Sequence, residues 1–147
     1  MSEPRTFLNL IKGEWVRSKS GKTYDNINPA NTDEVVGVFQ KSNAEDVKDA
    51  IDAAAEAYKS WRLVPAPKRG DILFKVAARL QKEKENLARD MTREMGKILD
   101  EARGDVQEAI DMAFYMAGEG RRLFGQTTPS ELRNKFNMSI RQPLGVC

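Results

Sequence analysis

The sequence contains no histidine, so the commonest general base and metal ligand of enzymes is absent. A Ser-His-Asp or Cys-His catalytic arrangement is therefore excluded within these 147 residues. A single cysteine excludes an internal disulfide and is typical of a reducing compartment. Because this thiol, Cys147, ends an apolar run rather than lying in an electropositive setting, we interpret it as structural and not as a nucleophile.

Features of membrane and nucleic-acid proteins are also missing. No stretch approaches the roughly 20 apolar residues of a membrane span, and the polar start Met1–Arg5 is unlike a signal peptide. The 24 basic and 22 acidic side chains leave a net charge of +2, which is too small to indicate a nucleic-acid or anionic-membrane partner. We therefore expect a cytoplasmic protein with no nucleic-acid partner and no membrane association.

Glycine-rich phosphate-binding patterns are missing as well. Neither Gly-x-Gly-x-x-Gly nor a Walker sequence occurs, and Gly118, Gly120 and Gly125 close a predicted helix rather than follow a strand. Most carboxylates fall on the polar faces of predicted helices. Glu94 is the exception, because it lies directly before Met95 and a helix-ending Gly96.

Short antiparallel strands are predicted over the first 41 residues. An apolar run over 7–11 is followed by a turn at Gly13 and a strand at 14–16, since glycine can take the positive φ of a hairpin turn. A second turn is predicted at 18–21, and further strands at 23–27 and 35–40. The strand at 23–27 stops before Pro29, because proline cannot donate to a ladder. Together these strands predict a small antiparallel meander.

Long amphipathic helices are predicted between residues 42 and 124. Ser42 and Glu45 fit a capping box for a helix that ends near residue 60. A second helix is predicted from about residue 67, with a break in the charged stretch 81–86 and a left-handed glycine cap at Gly96. A third runs from about 98 to 123. Apolar residues recur at helical spacing along these helices: Val47, Ile51 and Tyr58; Ile72, Val76, Ala77 and Leu80; Leu87, Met91 and Met95; Leu99, Ala102, Val106, Ile110 and Met116.

Two further strands are predicted at 125–128 and 135–142. Phe136, Met138 and Ile140 alternate with polar residues, which is the period of a half-buried strand. The chain stops within the apolar run 144–147, which favours the front piece of a longer protein. The expected fold class is α+β, with an N-terminal antiparallel β meander, three or four long amphipathic helices and a C-terminal β-hairpin arm.

Six short motifs occur in a specific order along the chain. They are Ile11 to Val16, Asn28 to Ala30, Trp61 with Lys68 to Leu73, Glu94 to Lys97, Tyr115 to Gly118, and Arg141 to Val146. Their order and spacing resemble the N-terminal part of an NAD(P)-dependent aldehyde dehydrogenase, from about Leu10 to Cys147. Residues 31–33 depart from the usual Thr-Gly turn of that family, which affects only a loop.

The resemblance implies an oxidoreductase that, at full length, converts an aldehyde or semialdehyde to a carboxylic acid with NAD or NADP. It also implies the α/β aldehyde dehydrogenase fold and a homo-oligomer. The cofactor-binding Pro-Trp-Asn motif would begin just beyond Cys147, and the glycine-rich turn, the glutamate base and the nucleophilic cysteine would lie further on. We therefore expect no catalytic or cofactor-binding residue in this chain, no bound cofactor and no activity of the chain alone.

One family site carries over to residues of this sequence. In some members a monovalent cation is held by a backbone carbonyl and a carboxylate, which match Ile27, next to Asn26, and Glu94. Further ligands would lie downstream, so the resemblance implies an incomplete metal site here.

The resemblance also implies three segments. Residues 1–41 form the meander, residues 42–124 the helices that flank the cofactor-binding domain, and residues 125–147 part of an oligomerisation hairpin, truncated. Two hypotheses stay open: an inactive piece of an aldehyde-oxidising enzyme, or a non-catalytic helical interaction or oligomerisation module derived from such an enzyme. Both predict association through the apolar helix faces. The sequence identifies neither the aldehyde nor the choice between NAD and NADP.

Overall fold

The computed structural model describes residues 3–147, which contain six short strands and four helices. The strands are β1 (Asn9–Ile11), β2 (Glu14–Val16), β3 (Thr23–Ile27), β4 (Val35–Gln40), β5 (Thr127–Thr128) and β6 (Asn137–Met138). The helices are α1 (Ala44–Trp61), α2 (Ala66–Lys82), α3 (Lys84–Met95) and α4 (Leu99–Glu119). The predicted α+β class is confirmed. Met1 and Ser2, which begin the predicted meander segment and the polar start of the chain, lie outside the described residues.

The N-terminal strands pair antiparallel as predicted, but they form two separate two-stranded sheets, β1–β2 and β3–β4, rather than one meander. The β1–β2 turn is confirmed: Lys12 and Gly13 both have positive φ, 56° and 83°, as a two-residue type I′ hairpin requires. The outer edge of β4 is occupied by residues 5–7, because the Phe7 amide donates to the Val38 carbonyl at 2.8 Å. That edge is therefore closed to β2.

Helix α1 begins one residue later than the capping box predicted from Ser42 and Glu45. The N-cap is Asn43, whose side-chain oxygen accepts hydrogen bonds from the amides of Glu45 and Asp46 at 3.0 and 3.2 Å. The Asp46 carboxylate in turn accepts from the Asn43 amide at 2.8 Å. The reciprocal bonds of a capping box are present, but an asparagine and an aspartate supply them. The Ser42 hydroxyl instead accepts from the Asn9 side-chain amide.

The predicted break in the second helix is confirmed, since Glu83 separates α2 from α3 with φ −96° and ψ 8°. Gly96 ends α3 in the left-handed conformation, with φ 75°, and its amide donates to the Thr92 carbonyl at 2.9 Å. The prediction is wrong by several residues at the end of α4. There the backbone amides of Arg121 and Arg122 donate to the carbonyls of Gly118 and Glu119, three positions earlier, so the chain leaves the helix in tight turns.

The core lies where α4 packs against α2 and α3. No large side chain among residues 3–147 is fully buried. The core instead consists of small and medium apolar residues, which allow the helices to approach closely: Ala77, Ala88, Ala102, Val106, Ile110 and Ala117. The closest approach is between α2 and α4, where Gly70 lies against the backbone of Ala117.

Many of the apolar side chains that were predicted to line the buried faces of the helices are exposed to solvent. On α1, Val47 and Ile51 are 54% and 53% exposed. On α2, Ala77 is fully buried, whereas Ile72 and Val76 are exposed. At the other end of the chain, β5 and β6 have two residues each, and Phe136 and Ile140 are exposed. The predicted C-terminal β-hairpin is confirmed, since β5 and β6 pair antiparallel, but its strands are shorter than predicted and their apolar side chains are exposed rather than half-buried.

No helix within the described part of the chain combines the length and the apolar character needed to cross a membrane.

Candidate functional site

Two distant segments meet where β3 ends and α3 ends. After Ile27, the chain forms a tight loop over residues 28–34, closed by a hydrogen bond from the Asn28 amide to the Glu34 carbonyl at 3.0 Å. The buried Asn28 side chain accepts from the Ala30 amide at 2.9 Å and donates to the Glu34 carboxylate at 2.8 Å. These bonds fix the loop that immediately follows Ile27.

The loop is tied to the last turn of α3 by an ion pair. The Arg93 guanidinium donates to the Glu34 carboxylate at 2.7 Å, across 59 positions of sequence. The hydrogen bond from Asn28, followed by that from Arg93, holds the pKa of Glu34 below its usual value. The same two segments touch at Gly96, where an added Cβ would lie 2.9 Å from Pro29 Cγ. Helix α3 therefore ends directly against the loop that follows β3.

The ladder between β3 and β4 is irregular at Ile27. Asn26 pairs with Gly37 but Ile27 pairs with Val35, so the register slips by one residue there. Such bulges bend a strand and interrupt its ladder of hydrogen bonds, and they are frequent beside functional sites. The predicted ligand carbonyl thus lies at an irregular strand end rather than within a continuous ladder.

The second predicted ligand, Glu94, is exposed on the last turn of α3. Within residues 3–147 its carboxylate forms no ion pair and no side-chain hydrogen bond. This position is electrostatically unfavourable, because the C-terminal end of a helix carries partial negative charge. An external cation near Glu94 would neutralise both the carboxylate and the helix end.

The chemistry of the two donors fits a hard cation, since a peptide carbonyl and a carboxylate are both oxygen ligands. The described residues contain no group of three or more His, Cys, Asp or Glu side chains that could hold a metal ion. The oxygens of Ile27 and Glu94 are thus at most part of a coordination shell.

A second polar cluster, which the sequence pattern did not reveal, joins the 18–21 turn to the start of α1. Asp46 is only 4% exposed and accepts hydrogen bonds from the Ser18 hydroxyl at 2.7 Å and the Lys19 amide at 2.9 Å. The amide bonds from Asn43 and Lys19, and then the Ser18 hydroxyl, lower the pKa of Asp46. All polar atoms of this carboxylate are satisfied, so its role is to anchor α1.

A groove of about 650 Å³ lies between the β1–β2 turn and α1. Three carboxylates line it, and each is already paired at 2.5 Å: Asp49 with Lys19, Asp52 with Lys48, and Glu56 with Lys59. At the end of the chain, Cys147 is exposed, and its sulfur lies 3.9 Å from the Gly145 carbonyl oxygen, which is not a base. Neither feature has the geometry of an active site.

These features define a helical scaffold with one oxygen-rich junction rather than a self-contained active site. Residues 15–147 match the profile of the Aldehyde dehydrogenase family. The chain therefore belongs to the aldehyde dehydrogenase family and corresponds to its N-terminal segment.

Similar proteins support this assignment. The chain is 42% identical over 146 residues to alpha-ketoglutaric semialdehyde dehydrogenase of Bacillus subtilis (strain 168), covering 99% of the chain and 30% of that protein. It is 39% identical to the NADP(+)-dependent succinate-semialdehyde dehydrogenase GabD of Escherichia coli (strain K12), covering 93% and 28%. The crystal structure of an NAD-dependent aldehyde dehydrogenase from Sinorhizobium meliloti superposes with a TM-score of 0.88 at 32% identity, covering 95% and 28%. The chain thus spans less than a third of the length of each.

Proposed function

We propose that this chain is the N-terminal scaffold of an enzyme that oxidises an aldehyde to a carboxylic acid with NAD or NADP, and that it is inactive alone. The family match over residues 15–147 carries this proposal. The proposed inactivity of the separate chain rests on the family resemblance, in which the glutamate base and the nucleophilic cysteine lie beyond Cys147, and on the one thiol here, which is exposed beside a carbonyl oxygen. The nucleophile, the base and the cofactor site are assigned to residues beyond this chain.

Within this class, the substrate we propose is a semialdehyde, an aldehyde whose far end carries a carboxylate. The support is the names of the relatives, which include alpha-ketoglutaric and succinate semialdehyde dehydrogenases. The names of similar proteins contain both NAD and NADP, so both cofactors belong in the test.

The proposal is tested by expressing the complete reading frame and, separately, residues 1–147. Each protein is mixed with NAD or NADP and with succinate semialdehyde or propionaldehyde, and the absorbance of the reduced cofactor is followed. We expect turnover by the complete protein, with succinate semialdehyde preferred, and none by the separate chain, which should also release no heat with NAD in calorimetry. A complete protein that reduces neither cofactor with any aldehyde would contradict the proposal.

The proposed segments are residues 1–41 as β structure beside the helices, 42–124 as the helical layer against a cofactor-binding domain, and 125–147 as part of an oligomerisation hairpin. We propose a homo-oligomer because the C-terminal β-hairpin has an open edge and exposed apolar side chains. Phe136 and Ile140, which flank β6, are 67% and 68% exposed. The single cysteine supports a cytoplasmic location. Light scattering of the complete protein should give a mass of at least two chains; a monomer at high concentration would contradict the homo-oligomer.

The second candidate function, a non-catalytic helical interaction module, is favoured by the exposed apolar faces of α1 and α2. It differs from the first in one outcome. If the complete reading frame lacks turnover but the chain still forms a stable oligomer, the interaction role is supported and the enzymatic role is contradicted.

We also propose a monovalent-cation site that uses the backbone carbonyl of Ile27 and the carboxylate of Glu94. A bound cation there would bridge the end of β3 to the end of α3 and add stability through oxygen coordination. The contact between Gly96 and Pro29 supports the juxtaposition of these two segments. The melting temperature of the complete protein should rise when KCl replaces choline chloride at constant ionic strength. Glu94→Gln should abolish this rise.

A further inference from the structure

Glu94 is flanked by two basic residues, Arg93 and Lys97, and either cation is a candidate partner for it. Lys97 is three positions further along the chain, beyond the helix-ending Gly96, so its Cα lies at most about 11 Å from that of Glu94. A tethered ammonium group does not have to be captured from solution, so it would compete with any free ion for the same carboxylate. A cation site at Glu94 therefore requires that these internal cations be held elsewhere.

The structure shows both of them engaged by other acids. Arg93 donates through Nε to Glu34 at 2.7 Å, on the loop that follows β3. The Lys97 ammonium pairs with Asp105 on α4, and its side chain is 20% exposed, against 45% for Asp105. The left-handed Gly96 ends the helix between Glu94 and Lys97, so the lysine does not continue the α3 face.

The result is a selective arrangement of charge. Two acids from different parts of the fold hold the two basic side chains that flank Glu94, while Glu94 itself forms no ion pair within the described residues. The Arg93 guanidinium also lies 3.9 Å from the carboxylate of Asp90, three positions earlier on α3, whereas the Glu94 carboxylate is left free at the negative end of the helix.

We propose that Glu34 and Asp105 act as guard residues, which keep Glu94 available to a monovalent cation by holding Arg93 and Lys97 away from it. This inference rests on the cation site proposed above. It adds a property that the cation site alone does not require. Removing the carboxylate of a guard residue weakens cation binding, because the basic side chain that it held is free to compete for Glu94. Removing that basic side chain as well restores binding.

The test uses the protein expressed from the complete reading frame and measures the KCl concentration at half of the rise in melting temperature, with choline chloride holding the ionic strength constant. Asp105→Asn should raise this concentration about 2-fold, because the freed Lys97 competes for Glu94 through an exposed ion pair, which is typically worth about 0.5 kcal/mol. The double variant Asp105→Asn/Lys97→Met should return it to the wild-type value. The variant Lys97→Met alone should bind K⁺ at least as tightly as wild type, because it lacks the competing ammonium group. It provides an independent measurement if Asp105→Asn folds poorly.

The second guard is tested in the same way with Glu34→Gln and Glu34→Gln/Arg93→Met. Glu85→Gln is the matched control, because it removes a comparable ion pair to Arg103 between α3 and α4 but frees neither flanking cation. It should lower stability without changing the half-saturating KCl concentration.

The outcomes separate the two proposals. If Glu94→Gln keeps the full response to KCl, the cation site is wrong and the guard role falls with it; the same holds if wild type does not respond. Suppose instead that Glu94→Gln loses the response to KCl, but a double variant binds K⁺ no better than the variant that lacks the guard alone. The cation site is then supported, and the guard residue in that variant has only a structural role. Recovery in the double variant is the result that supports the inference.

Discussion

The close contact between α2 and α4 at Gly70 allows a sharp test of the packing. An ideal Cβ on Gly70 would lie 2.5 Å from the carbonyl oxygen of Ala117, whereas ordinary contact begins at 3.4 Å, so the helices must move apart locally by 0.9 Å. The obstacle is backbone, which cannot rotate away as a side chain can. Such overpacking costs about 1–3 kcal/mol.

Gly104 provides the matched control. It also lies within a helix, but an added Cβ there meets nothing within 4 Å. Replacing a helical glycine with alanine stabilises by about 1 kcal/mol through backbone entropy and helix propensity. This gain is common to both sites and cancels in the comparison. The difference in unfolding free energy between Gly104→Ala and Gly70→Ala should therefore equal the packing cost alone, about 1–3 kcal/mol.

The assay is urea unfolding of the purified protein followed by far-ultraviolet circular dichroism, with a midpoint and an m-value fitted separately for each variant. We expect Gly104→Ala to unfold at a higher urea concentration than wild type and Gly70→Ala at a lower concentration than Gly104→Ala. Equal midpoints for the two variants would show that α2 and α4 do not approach as closely as described. A changed m-value in Gly70→Ala would indicate that the helices separate altogether.

Three further predictions concern the helix ends and the anchor of α1. Asn43→Ala should cost about 1 kcal/mol of unfolding free energy because two helix amides lose their acceptor, whereas Ser42→Ala should cost less; equal losses would contradict the observed cap. Gly96→Ala should lower the free energy of unfolding more than Gly21→Ala. Both glycines have positive φ, which costs an alanine about 1–2 kcal/mol, but only at Gly96 would the new Cβ also lie 2.9 Å from Pro29. The pKa of Asp46 is lowered from its ordinary 3.8, so the stability it contributes is present above that value and is lost as the pH falls through its lower folded pKa. Asp46→Asn should therefore be less stable than wild type near pH ~7, and urea midpoints should converge in strong acid; a constant difference would contradict this.

Turns and helix ends were the most predictable features, because their causes lie within a few residues of sequence. Gly13 and Gly96 adopt the positive φ that their positions predicted. The helix break near Glu83 follows from a lapse in the apolar pattern. The N-cap was misplaced by one residue because Ser42 and Asn43 are both good caps, and the choice was made by Asp46, whose carboxylate is fixed by Ser18 across 28 positions.

The candidate site was predictable only as a pair of isolated residues. The family resemblance named Ile27 and Glu94, but the connection between their segments depends on Glu34 and Arg93, which are 59 positions apart and match no motif. Lys97 likewise pairs with Asp105 on α4, eight positions further along the chain, and no motif indicates that contact.

Burial was the least predictable property, and the reason is physical. A periodic apolar stripe indicates which face of a helix avoids water, but it does not indicate what covers that face. Here α4 buries small residues such as Ala102 and Ala117, while larger ones on α2, such as Ile72 and Phe74, stay exposed. Backbones can approach closely only where side chains are small, so α2 and α4 meet through Gly70 and Ala117, while Val106 and Ile110 fill the core beside α3. The larger apolar side chains are therefore available to surfaces that this segment does not supply, which agrees with a family whose members are more than three times its length.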